Sequence, residues 1–291
     1  MRWFTLLMLA SLVRGDELTQ KMTARVSEEA EAFARIATDV LGTETLHQSA
    51  MKRPSRFHPR AGTAAEKPKF EDREVVSEYG FAKFAGQAEA IHELRQVISV
   101  DGKKVQDTKK AQDALATAIT SNDDGQKKAL LKSFERYGLV GAVTDFGQML
   151  LLFTRRDIER YEFTARGTKM IGYDRALVFS YKQIDGSEAL TLFQENKGDQ
   201  ATRLRLEGEI RVRSEDYVPL QITLATHSGD GPDAVREEAA VTYKMSPYGA
   251  LLPSSTEHQE LRGGRVVAEN HFFYTDFHKF GASSRLKINA K

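Results

Sequence analysis

Apolar and polar residues alternate through most of the C-terminal half of the chain. The stretch RLRLEGEIRVR (203–213) sets Leu204, Leu206, Ile210 and Val212 among Arg203, Arg205, Glu207, Glu209, Arg211 and Arg213. Successive side chains of a strand point to opposite faces, so this pattern predicts a ribbon with one apolar and one charged side. The alternation persists from about residue 158 to the end. Tyr161, Phe163 and Ala165 alternate with Glu162, Thr164 and Arg166, and ALVFSYKQ and EALTLFQ flank Asp185–Gly186 as a predicted hairpin. Val218, Leu220, Ile222 and Leu224 line one side of the next run, and Ala239, Val241, Tyr243 and Met245 repeat it. A last hairpin is expected at Gly263–Gly264, returning through VVAENHFFYTDF. Short links make consecutive strands antiparallel neighbours, so about seven or eight strands form a meander.

The N-terminal half reads differently. Val26, Ala30, Phe33, Ala37 and Val40 recur at helical spacing, with Gly42 placed to stop a helix over 17–41. Residues 51–73 hold prolines, little apolar content and Lys52, Arg53, Arg56 and Arg60, which predicts a basic, solvated linker. Two strand-like runs follow, EVVSEYGFAKF (74–84) and HELRQVISV (92–100), the second ending in an Asp101–Gly102 turn. Ala111, Leu115, Ala118 and Ile119 predict a short helix. Another is predicted to open at Ser121, with Leu130, Leu131, Phe134 and Tyr137 as its stripe and Gly138 at its end. FGQMLLLF (146–153) reads as a buried helical turn leading into the sheet.

Residues 1–15, MRWFTLLMLASLVRG, fit a secretory leader: a basic start, then about eleven apolar residues, far short of the ~20 that span a bilayer. The expected division is therefore a signal peptide (1–15), an N-terminal amphipathic helix (16–50), the linker (51–73) and a sheet domain (74–291) with a helical insert at about 105–153. No cysteine is present, so an exported chain would hold together by packing alone and would carry no cysteine-linked lipid anchor. The expected location is extracytoplasmic, periplasmic or secreted, with no transmembrane segment in the mature chain. At 41% hydrophobic and 29% charged, with a net charge of +1, the chain has a soluble composition and no global attraction to nucleic acid.

Catalytic and metal motifs are not found in this sequence. HELRQ (92–96) begins like the zinc-protease motif, but its fifth residue is Gln96 and the run is strand-like, so helical spacing of two imidazoles is lost. His271 and His278 stand seven apart, on opposite faces by strand parity. HSGDGPD (227–233) is too short and too poor in carboxylates for a calcium loop. Asp123–Asp124 suits a helix start. No enzyme activity, cofactor or metal is expected.

The fold class that emerges is α+β: a long, curved antiparallel sheet, half-barrel-like, packed on the N-terminal helix and the mid-chain insert. The segments VVSEYGF, ELRQVISVDG, RYEF, YKMSPYGALLP and NHFFYTDFHKFG fall in an order that resembles a group of secreted bacterial proteins. Their architecture is similar to the lipoprotein-carrier (LolA-like) half-barrel, in which a curved sheet wraps around helices. That resemblance implies a non-catalytic extracytoplasmic binding protein that shelters a lipid or lipidated ligand on its concave face. The residues expected to line it are Leu204, Leu206, Ile210, Val218, Leu220, Ile222, Leu224, Val241 and Tyr243. The alternative is a structural or interaction module of the cell envelope, packed solid there and meeting a protein partner.

Overall fold

Strands dominate the computed structural model, which describes residues 4–52, 69–84, 87–142, 145–186, 191–192, 202–203, 205–229, 231 and 234–280. A long helix α1 (Phe4–Ile36) is followed by one 3-10 turn and then by β1 (Val40–Met51). Next come β2 (Phe70–Phe84), β3 (Gln87–Val100) and β4 (Lys103–Lys104). The insert supplies α2 (Thr108–Thr120) and α3 (Asp124–Glu135). The remaining strands are β5 (Tyr161–Ile171), β6 (Asp174–Gln183), β7 (Thr191–Leu192), β8 (Thr202–Arg203), β9 (Glu207–Arg213), β10 (Pro219–Ser228), β11 (Val235–Met245), β12 (Leu251–Arg262) and β13 (Arg265–Lys279). Eleven of them form one sheet in the order β4-β3-β2-β1-β13-β12-β11-β10-β9-β6-β5. All its pairings are antiparallel. The α+β half-barrel expected from alternation is the fold observed.

Three local expectations are corrected. The helix was expected to reach residue 41, inside an N-terminal segment of 16–50; it ends at Ile36, and Val40–Met51 is strand. VLGTET carries β-branched residues and a glycine, which are poor in helices, and pairing with β2 on one side and β13 on the other settles the matter. This strand joins the early and late halves of the chain. Second, β6 pairs with β5 and β9, and the described residues of the run expected to pair with it, Thr191–Leu192 of β7, pair with β8 in a separate two-stranded ribbon; the rest of that run lies outside the described residues. Third, the register of β13 shifts between the partners of Leu41 and Thr43, next to Asp276 in a left-handed conformation. His278 consequently sits opposite Leu41 on the outer face, the same face as His271. Most of the basic linker, 53–68, lies outside the described residues, and 70–73 begin β2.

Both faces of the sheet's first end are covered. On the concave face Met22, Val26, Ala30 and Phe33 of α1 are fully buried, the spacing predicted from sequence. On the convex face Leu115, Ala116 and Ile119 of α2 close over Leu41, Ala82 and Leu94. Gly80 makes that approach feasible: a Cβ there would stand 2.8 Å from Leu41 Cδ2 and 2.9 Å from Ile119 Cδ1. Asp107 and Asp123 cap the two insert helices, accepting from the Lys109 and Gly125 amides. The observed cap of α3 is thus Asp123 where Ser121 was expected. The opposite end of the sheet is less covered: Phe153 packs on Tyr161, Phe163 and Tyr181, but among the described residues nothing lies over the rest of β5. Strand β5 is an edge with most of its length exposed.

Candidate functional site

The concave face is filled by two pieces of the chain, α1 and, after α3, the described residues 139–142 and 145–153. The second piece, here called the strap, buries Leu139, Ala142, Phe146, Met149, Leu150 and Phe153. Its last five residues are the expected helical turn, a 3-10 helix over Met149–Phe153.

Polar side chains from the sheet hold the strap at its start. Gln48 Nε2 donates to the Val140 carbonyl at 2.9 Å and to Asn270 Oδ1 at 2.6 Å. Gln48 Oε1 accepts the Val140 amide at 3.2 Å. Asn270 Nδ2 donates to the same carbonyl at 2.8 Å and to His258 Nδ1 at 3.0 Å. The His258 ring proton therefore sits on Nε2, donated to Glu237 Oε2 at 2.5 Å. All these side chains are buried, so each pairing spares the unpaired-group cost of about 1–3 kcal/mol. Gly141 (φ +66) lies against His258, where a Cβ would come within 2.5 Å of the ring. Farther along, the Tyr243 hydroxyl accepts the Leu150 amide at 3.0 Å and donates to the Gly147 carbonyl at 3.1 Å. Ser27 of α1 donates to the Phe153 carbonyl at 2.9 Å.

A buried ionic group stands beside the strap. Arg95 of β3 donates to both oxygens of Glu44, at 2.7 and 3.0 Å, and to Glu93 Oε2 at 2.6 Å. Its guanidinium lies 5.5, 5.2 and 5.8 Å from the ring centres of Tyr79, Phe134 and Phe272. Burial pushes the Glu93 carboxyl up to about 8 against the pull of Arg95. One guanidinium thus faces two buried carboxyl groups. Burial likewise pushes the Tyr79, Tyr243 and Tyr274 phenols above their usual range.

Of the residues expected to line a ligand face, Leu206, Ile210, Val218, Ile222, Leu224, Val241 and Tyr243 are part of the packed core, and Leu220 is also buried. Val218, Leu220 and Tyr243 reach a groove of about 620 Å³ at one end of the face, between α1 and the turns of the sheet. Leu204 lies outside the described residues. Ile171, Tyr173, Met245 and Leu251 complete the apolar lining. Tyr173 is fully exposed, and Met245 is 53% exposed. Arg25, Arg213 and Lys244 stand around the rim, with Arg213 3.1 Å from Asp216 and 3.6 Å from Asp174. The volume falls within the ~300–1,000 Å³ of small-molecule pockets.

Sequence reasoning missed Gln48, Glu44, Asn270, His258 and Glu237. Glu44 and Gln48 sit at strand positions of the same parity as buried Leu46. That polar-for-apolar signal was hidden because the stretch read as a helix end. Among the described residues, no group of three or more His, Asp or Glu side chains stands ready around one metal ion. Among them, no helix is long and apolar enough to cross a membrane.

Neither a family model nor a curated protein matches the sequence. Solved structures similar to the chain include an outer membrane lipoprotein-sorting protein domain from Vibrio parahaemolyticus, at 10% identity and TM-score 0.30, covering 90% of this chain and 98% of that one. A LolA superfamily protein from Nitrosomonas europaea is 10% identical, TM-score 0.29, covering 88% and 92%. A DUF1329 family protein from Desulfovibrio piger is 8% identical, TM-score 0.32, covering 89% and 96%. At these scores the likeness carries no argument about function, which rests on the residues above.

Proposed function

We propose that the chain is a non-catalytic, extracytoplasmic binding protein that holds an acyl chain or a lipidated ligand in the groove at the end of its concave face. The observation that carries this reading is the groove itself: about 620 Å³, apolar in its lining and open to solvent. The centre of the face offers no such room, since Ile210, Ile222 and Val241 have no exposed surface. The ligand's apolar part would lie on Val218, Leu220 and Met245, gaining about 0.8 kcal/mol per buried methylene. An anionic head would meet Arg25 and Lys244 at the rim. The leader-like residues 1–15 support export.

The test is native mass spectrometry of the full chain without detergent, with displacement of a fluorescent fatty acid as the second readout. Met245→Asp and Tyr173→Asp change exposed positions and should leave folding intact. Each is expected to weaken fatty-acid binding about tenfold or more by placing a charge in an apolar site. A clean mass, with no uptake on titration, rejects the carrier reading. The solid packing of the central face would then favour an interaction module, with the exposed edge strand β5 as its contact surface.

A further inference from the structure

The convex face carries a row of ionisable side chains that neither the groove nor the strap uses. Strand register builds it. His47 of β1 stands directly opposite Glu74 of β2 and, on its other side, opposite His271 of β13. His271 in turn stands opposite Glu257 of β12. These strands are successive neighbours in the sheet, so Glu74, His47, His271 and Glu257 form one line across it. Directly opposed residues share a face, with Cβ atoms about 4.5–5.5 Å apart. His47, His271 and Glu257 are exposed and Glu74 nearly half so.

Glu74, His47 and His271 border a shallow hollow of about 470 Å³ that also takes in Asp72, Asp101 and Glu269. Arg73 is paired with Asp101 at 3.0 Å and does not answer the remaining carboxylates. Ser49 donates to Asp72 at 2.7 Å and Gln259 to Glu269 at 2.8 Å, which fixes two walls of the hollow. Glu74 Oε2 already lies 3.6 Å from His47 Nδ1. The hollow therefore combines two imidazoles at adjacent positions with an excess of negative charge.

We propose that His47 and His271 bind a divalent transition-metal ion, with Glu74 as the third protein ligand. Paired imidazoles with a carboxylate suit zinc, copper or nickel, whereas magnesium and calcium prefer all-oxygen sets. Metal–nitrogen bonds of about 2.0–2.1 Å are within reach of two rings on directly opposed strand positions. The side chains are not gathered round one point as they stand. Closing them on an ion takes rotation of exposed side chains and no movement of backbone. The bound ion would clip β2, β1 and β13 together across the seam where the early and late halves of the chain meet.

The test titrates zinc chloride into the full chain, stripped of metal, by isothermal calorimetry, with thermal unfolding measured in parallel. About one equivalent is expected to bind and to raise the melting temperature, because a ligand that binds only the native state stabilises it. His47→Ala and His271→Ala should each weaken binding about tenfold or more and abolish the melting shift. His278→Ala, on the same face but six β1 positions away, should change neither. Far-UV circular dichroism confirms that the variants fold, since both substituted side chains are exposed. Absence of zinc uptake by the wild-type chain overturns the proposal. So does binding that survives either histidine substitution.

Discussion

The two ends of the sheet are built on opposite terms. At the β1–β3 end, helices or strap lie on both faces, and β2 is buried on both parities from Ser77 to Ala82. At the β5 end, Thr164 to Met170 are exposed and the concave face opens into the groove. A two-sided strand admits no plain alternation, because each parity has its own apolar partner. It also forces polar groups into the interior, where they must be paired. The Glu44–Arg95–Glu93 group belongs to the closed end and the solvated Arg213 pairs to the open one. Coverage, more than composition, separates a structural end from one free to bind.

The contrast can be broken at its strongest point. Arg95→Met leaves Glu44 buried without its counter-charge and should cost about 3–5 kcal/mol in urea unfolding. Tyr173→Ala at the open end should stay within about 0.5 kcal/mol in the same assay. Equal costs at the two sites would erase the distinction.

The convex cover gives a smaller but still large effect. Leu115→Ala removes a side chain with no exposed surface from the α2 contact, and about 2–5 kcal/mol of stability should go with it. Fatty-acid uptake at the groove should be unchanged in the folded protein. A loss of uptake would mean the two ends are coupled.

The smallest expected effect is a pH dependence. The folded-state value of Glu93, about 8, lies above its ordinary 4.5, so the native state holds this proton more tightly than the unfolded chain. Its contribution to stability is fully present below about 4.5 and is lost as the pH rises through 8. Glu78, pushed by burial to about 7 beneath the convex cover, acts in the same direction but is spent earlier. The decline between pH 7 and 8 is therefore the signature of Glu93. Glu93→Gln should flatten it in denaturation curves taken across that interval, and an unchanged slope would show that Glu93 titrates normally.

Much of this architecture is legible in the residues. Alternation predicts β6, β10 and β13 close to their observed bounds and part of β5 and β11, and Asp101–Gly102 and Gly263–Gly264 turn where expected, with positive φ at all four. Helical spacing predicts α2 and the buried face of α1. What failed was β1, whose Val40 and Leu41 fit the end of a helical stripe as well as the start of a strand. Local preference does not discriminate in so short a run; two neighbouring strands do. The site was half legible for a related reason. Parity correctly groups Ile210, Ile222 and Val241 with Leu220 on one face, yet it says nothing about what lies over them. Of the polar pins, Asn270 and His258 share a hairpin, but Gln48 lies far from both in sequence and meets them only through register.

The amino-acid sequence by itself determined a meandering antiparallel sheet with one apolar side, and an amphipathic helix to cover it, because those follow from periods of two and 3.6 along a single stretch of chain. Tertiary structure alone decided that β1 would bridge the two halves of the chain and that the strap, with α1, would fill the centre of the face. It alone opened a groove at one end and set two histidines side by side on the other surface. Each of those outcomes depends on which strand stands next to which. Register is a property of pairs of distant segments, and no single stretch of the chain contains it.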